Sequence, residues 1–285
     1  MNPLTHKEIG KILKDIEYEE RSSDLGYFSK PFRVNYNDRA LFIKLYFPVK
    51  DQRLISSIMA NHDEYIRELK LAGLKIPETK ILSKPSGEKH QLIIIQDAFK
   101  DEELLRNRII NGSPEDVKRL CFMVFDEMLQ FLIKKNRQKE IGFHPTLRNY
   151  CVHKEELWFF DTFPPMVMNQ KELNGLIMKM SPYGGLLKKI IPLKFINKVS
   201  DEYYHPDKMF TGIVGSCCRL RPADADNILA FSREYVNQSV SLTDEDKESI
   251  IRLLKKPPKL SGIWILIRKL SGNKGKPNIN TPISA

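Results

Sequence analysis

A chain of 285 residues with 41% hydrophobic and 29% charged side chains is long enough for one large or two modest domains and too apolar to stay disordered; collagen-like and coiled-coil compositions are excluded as well. Lys and Arg number 46 against 36 Asp and Glu, and the resulting +10 favours a polyanionic partner, whether nucleic acid, phosphate ester or acidic membrane, without choosing among them. Cys121, Cys151, Cys217 and Cys218 lack paired CxxC spacing, and the adjacent two could join only with backbone strain, so a reduced, cytoplasmic chain is expected. The first residues hold no uninterrupted apolar stretch and no 18-residue apolar run occurs anywhere, so the expectation is a soluble or peripheral protein.

Leu4, Ile9, Ile12, Leu13 and Ile16 recur at helical spacing among Lys and Glu, which predicts an amphipathic helix over the first 20 residues. Residues 27 to 47 switch to strand character: YFSKPFRV and ALFIKLYF flank a polar turn over Asn35 to Arg39. Ile55, Ile58, Met59, Tyr65, Ile66 and Leu69 return to helical periodicity over 54 to 72, ending at Gly73. LKIPETKIL and HQLIIIQDAF then read as strands around a turn at 84 to 89. The whole of 1–99 is expected to be an α+β unit of five strands with one helix besides the N-terminal one.

After Phe99 the pattern becomes helical. Ser113 as N-cap and Pro114 in the first position open a helix through VKRLCFMVFDEMLQFLIKK, whose nearly continuous apolar face predicts a buried central helix. NYCV and LWFF read as short strands around the turn HKEE. From about 170 to 254 the chain reads as helices interrupted at Pro182, Gly184, Gly185, Pro192, Pro206 and Pro222, so 100–256 is expected to form a helical second part and 257–285 a basic, partly ordered tail. Residues 263–270 offer a weak route to a membrane surface. Phe143, Trp158, Phe159, Phe160 and Phe163 are read as core aromatics, and Cys151, His153, Cys217 and Cys218 lack the spacing of zinc ligands.

The order of these parts resembles the protein-kinase-like phosphotransferases, in the aminoglycoside phosphotransferase and choline kinase branch. FIKLY carries a strand lysine, HDEYIRELKLAGLKIPETKIL is similar to the helix and strand that follow it, LIIIQDAF is similar to the strand entering the interlobe hinge, and GFHPTLRNYCVHKEELWFFDTF resembles the catalytic loop and metal-binding segment. The likeness spans about residues 25 to 165 well and the later helices loosely. It implies a two-lobed α+β fold, with a small antiparallel-sheet N-lobe and a larger helical C-lobe. It also implies ATP- or GTP- and Mg²⁺-dependent phosphoryl transfer to a hydroxyl of a small metabolite. Lys44 would contact the α/β-phosphates and pair with Glu64, or with Glu68 as second choice; Asp161 would bind Mg²⁺; Asn149 would hold metal and brace the loop; Gly26, in the reduced loop DLGYFSKPF, would sit near the phosphates. Lys44 should then lie within a side chain's reach of Asp161.

Two departures from the family pattern matter. His144 stands five residues before Asn149, where the family has its catalytic Asp, and Pro164-Pro165 replaces the glycine after the metal-binding Asp. His144 is the candidate base, in which case activity should rise with pH near the ordinary imidazole pKa of about 6.5. The alternative is a catalytically impaired kinase-fold protein that binds nucleotide or a protein partner. Nucleic-acid binding has only the net charge behind it, because no RNA-binding or helix-turn-helix motif is present.

Overall fold

The computed structural model describes residues 5–15, 29–180 and 200–259. Strands β1 (Ser29–Tyr36), β2 (Arg39–Tyr46), β3 (Thr79–Ser86) and β4 (Lys89–Asp97) form one antiparallel sheet in the order β1-β2-β4-β3. The expected hairpin is present with a tighter turn: Tyr36 pairs with Arg39, and only Asn37 and Asp38 lie between, at φ 48° and 58°. Left-handed values at both central positions match the right-handed twist of the strands, and Asn and Asp tolerate them better than other side-chain-bearing residues. Four strands rather than five are found in the described part of 1–99, one from each of the four strand-like segments named above, and no further described segment joins the sheet.

The period of two along the strands assigns the faces of the sheet. Leu41, Ile43, Ile93 and Ile95 pack with Ile9 and Ile12 of helix α1 (His6–Asp15), where burying a side chain such as Ile12 contributes about 2 kcal/mol. Tyr46, Leu92 and Ile94 turn the other way and pack with Ile55 and Ile58 of helix α2 (Gln52–Leu71). Asp51 caps the start of α2 through its side chain and the Leu54 amide. At its end Gly73 takes φ 95°, the Leu74 amide bonds the Leu69 carbonyl and the Gly73 amide bonds that of Lys70, a Schellman closure that glycine favours.

Beyond a single turn of 3₁₀-helix at Asp101–Glu103 come α3 (Leu105–Asn111) and α4 (Pro114–Lys134). Ser113 caps α4 at the expected place, accepting from the Asp116 amide. Val124, Phe125 and Met128 on its inner face are fully buried, and Phe125 stacks on Phe210 at 4.2 Å. Strands β5 (Tyr150–His153) and β6 (Glu156–Phe159) form a separate two-stranded hairpin, followed by α5 (Gln170–Met180), α6 (Pro206–Leu220), α7 (Ala225–Gln238) and α8 (Asp244–Leu253). The main core joins Tyr65 and Leu69 of α2 to α4, the hairpin and α6, so the second half of α2 packs into the helical part. Gly26, the breaks at Pro182 to Pro192 and the segment 263–270 lie outside the described residues. No described helix is long and apolar enough to cross a membrane.

Candidate functional site

The alternation that aims Ile43 at α1 aims Lys44 at the opposite face, toward the hairpin. Lys44 is only 7% exposed, and its Nζ donates to Asp161 Oδ1 at 2.9 Å. The Phe42 and Phe160 rings each lie 6.0 Å from that ammonium, at the outer limit of cation–π attraction.

Asp161 owes its position to the β5–β6 hairpin. Tyr150 pairs with Phe159, and the Phe160 amide then bonds the Asn149 carbonyl at 3.0 Å, so Asn149 and Asp161 emerge side by side at the open end of the ladder. The Asn149 Nδ2 donates to the His144 carbonyl at 3.0 Å, and the Thr146 amide donates to the same oxygen at 2.8 Å. Asn149 therefore braces the loop with its amide nitrogen, and its amide oxygen is the atom suited to a cation. Burial acts to raise the Asp161 pKa, but the Lys44 ammonium, with Arg148 and His144 further off, outweighs it and holds the carboxyl below its usual value. About a third of the Asp161 side chain remains open to solvent.

The expected pairing of Lys44 with Glu64 does not occur. Glu64 bonds Lys139 at 2.5 Å, and Glu68, the second choice, bonds the same ammonium at 2.9 Å. The residue of α2 that faces this part of the fold is His62, fully buried with Nε2 2.8 Å from the Thr162 hydroxyl. At about 100° per residue Glu64 is about 200° around the helix from His62, so a helix that turns His62 inward must turn Glu64 away. Burial first and the neighbouring Lys44 charge second push the His62 pKa down to about 3.

His144 lies against Tyr203, with ring centroids 4.6 Å apart. Burial, then Arg148, lower its pKa to about 3 against the opposing pull of Asp161. Burial and Arg148 thus favour the neutral imidazole, the form that can accept a proton.

Four residues that the sequence reading passed over complete the surroundings: His62, Arg148, Glu202 and Tyr203. Arg148 could have been noticed as the neighbour of Asn149. Glu202 and Tyr203 carried no signal, since they arrive from a 3₁₀ turn, Asp201–Tyr203, more than fifty residues along the chain. The Phe143 amide donates to the Tyr203 carbonyl at 2.7 Å and so ties that turn to the segment that leads into Asn149.

A family model described as a family of unknown function, DUF6206, matches residues 12–275. The chain belongs to that family. No curated protein matches it. A solved structure titled "WaaP in complex with acyl carrier protein" aligns over 82% of this chain and 97% of its own, at 15% identity and a TM-score of 0.37. A superposition that loose carries no argument about fold or activity.

Among the described residues no three His, Cys, Asp or Glu side chains converge as a metal cluster. The donors present nonetheless suit Mg²⁺, which takes one or two protein oxygens and fills its octahedron with phosphate oxygens and water. With Oδ1 of Asp161 engaged by Lys44, the second carboxylate oxygen and the Asn149 amide oxygen would be the protein's share.

Proposed function

We propose that this chain is a phosphotransferase of the protein-kinase-like type, moving the terminal phosphoryl group of ATP or GTP to a hydroxyl of a small molecule. The observation that carries the reading is the Lys44–Asp161 contact, a strand lysine meeting a carboxylate 117 positions later in the chain. Phosphoryl transfer needs a cation on the phosphates and oxygen ligands for metal, and little covalent chemistry from the protein. In this reading Lys44 binds the phosphates and Asp161 and Asn149 hold Mg²⁺, which when bound neutralises charge on the phosphoryl oxygens. Phe42 and Phe160 border the nucleotide, and Gly26 is assigned to the phosphate loop. The sheet-bearing part, 1–99, serves as the nucleotide lobe and 100–256 as the acceptor lobe.

A second reading has its own support. His144 occupies the place of the usual acidic base, its pKa is lowered, its ring packs tilted against Tyr203 and its carbonyl is tied into the loop, as a protein that only binds nucleotide would permit. Titration with ATP and GTP, each with and without Mg²⁺, followed by assay of nucleoside diphosphate formation, separates the two. Mg²⁺-dependent binding with turnover supports the transferase, binding with no turnover supports the second reading, and no binding overturns both.

A further inference from the structure

Helix α2 turns Ile55, Ile58, His62, Tyr65 and Leu69 inward at spacings of three and four residues, and all five are buried. His62 is the member of that stripe whose ring must satisfy two nitrogens inside the fold. Nε2 lies 2.8 Å from the Thr162 hydroxyl, and Nδ1 has no partner among the described residues. Packing alone would favour a leucine here, because a buried polar atom left unpaired costs stability. What the imidazole adds over a leucine is its bond to Thr162.

Thr162 follows Asp161 directly, and every residue from 160 to 163 is held. The Phe160 amide donates to the Asn149 carbonyl at 3.0 Å, and Asp161 Oδ1 accepts from Lys44 of β2 at 2.9 Å. The Phe163 ring centroid lies 4.2 Å from that of Tyr46, and Phe163 packs with Ile55 and Ile58. So α2 reaches this stretch twice, by apolar packing through Phe163 and by a hydrogen bond through Thr162. Apolar packing is non-directional, whereas a hydrogen bond of 2.8 Å has a preferred angle. The His62–Thr162 bond is the contact through which α2 can fix how the stretch is turned.

We infer that His62 is a positioning residue for the metal-binding carboxylate, acting through Thr162 to set the rotation of Asp161. The inference rests on the phosphotransferase reading above, in which Asp161 holds Mg²⁺. Residues 161 and 162 share a peptide plane, so the rotation that seats the Thr162 hydroxyl on the imidazole also limits where the Asp161 side chain points. A carboxylate free to rotate would offer both oxygens to the Lys44 ammonium. One fixed from α2 gives Oδ1 to Lys44 and keeps Oδ2 for the cation.

The test measures ATP affinity with Mg²⁺ and with EDTA, beside the thermal midpoint, for wild type, His62→Leu, Thr162→Val and Thr162→Ser. The ratio of the two affinities reads the share of binding that comes through the metal. It is expected to fall on the order of tenfold in His62→Leu and in Thr162→Val, and to recover in Thr162→Ser, which keeps the hydroxyl. His62→Leu should not lower the thermal midpoint, since leucine completes the apolar stripe; a loss of metal-linked affinity at full stability is what a merely structural histidine would not produce. A wild-type ratio in His62→Leu overturns the inference and leaves His62 as filling. Thr162→Ser no better than Thr162→Val overturns it as well, and these two variants decide alone if His62→Leu loses its fold. Equal wild-type affinity with and without Mg²⁺ overturns both the metal assignment and the inference, and absence of ATP binding overturns the phosphotransferase reading itself.

Discussion

On the sheet side of the candidate site Lys44, His62 and Thr162 are shut away from solvent, the lysine bonded to Asp161 and the imidazole to the threonine. On the helical side Arg148, Glu202 and the Tyr203 hydroxyl stand without hydrogen bonds to any described residue, on backbone that is itself firmly tied. Buried polar groups must be satisfied inside the fold, because a lost hydrogen bond there costs about 1 to 3 kcal/mol. Groups that reach water can wait for a ligand at little cost. The sheet side is therefore largely closed by folding, with His62 Nδ1 alone of these three residues' polar atoms left without a partner among the described residues, and the helical side stays open to water.

Breaking the assembled side should have the largest effect. Asp161→Asn is expected to abolish Mg²⁺-dependent nucleotide binding and to cost about 1 to 3 kcal/mol in urea unfolding, discounted from the cost of a fully buried pair because a third of the carboxylate is exposed. The double variant Lys44→Met/Asp161→Asn should be more stable than the sum of the single losses; strict additivity would show that the pair is not coupled.

His62 sharpens the comparison through pH. Its folded pKa, about 3, lies below the unfolded value of about 6.5, so as pH falls through that window the unfolded chain takes up a proton that the folded chain refuses. Stability should be full above about pH 6.5 and decline toward pH 3, with this residue contributing about 1 kcal/mol per pH unit. His62→Gln, which can keep a bond to Thr162, should flatten the difference between unfolding curves at pH 7 and pH 5. An unchanged difference would show that the imidazole is not held neutral.

His144→Gln should lower turnover only modestly and leave the pH profile between 5 and 8 unaltered, since the imidazole is already neutral there. A limb near pH 6.5 that disappears in the variant would restore His144 as the base. The smallest effect is expected of Glu64→Gln: less than about 1 kcal/mol of stability, and unchanged nucleotide affinity, because its partner is the partly exposed Lys139. A large loss of affinity would return Glu64 to the site.

Residues close in sequence were read well where local chemistry decides. Ser113 and Pro114 at the start of α4, and Gly73 after α2, mark helix ends because caps and left-handed turns depend on a few neighbouring residues. The hairpin that sets Asn149 beside Asp161 was legible for the same reason, since a two-residue turn and strand alternation fix its register. Glu64 was misjudged because carboxylates at 64 and 68 were counted from a resemblance, while the rotation of α2 is set by which apolar residues the sheet and the helical core bury.

Periodicity, caps and turns thus determined that an antiparallel sheet precedes a helical part, that Lys44 lies in a strand, and that Asn149 and Asp161 share a hairpin. Only tertiary packing decided that Lys44 meets Asp161 and that His62 rather than Glu64 fills the inner face of α2. The physical reason is separation along the chain: a contact such as that between residues 44 and 161 arises from how faces bury against one another, and no local pattern records which far segment covers a given face.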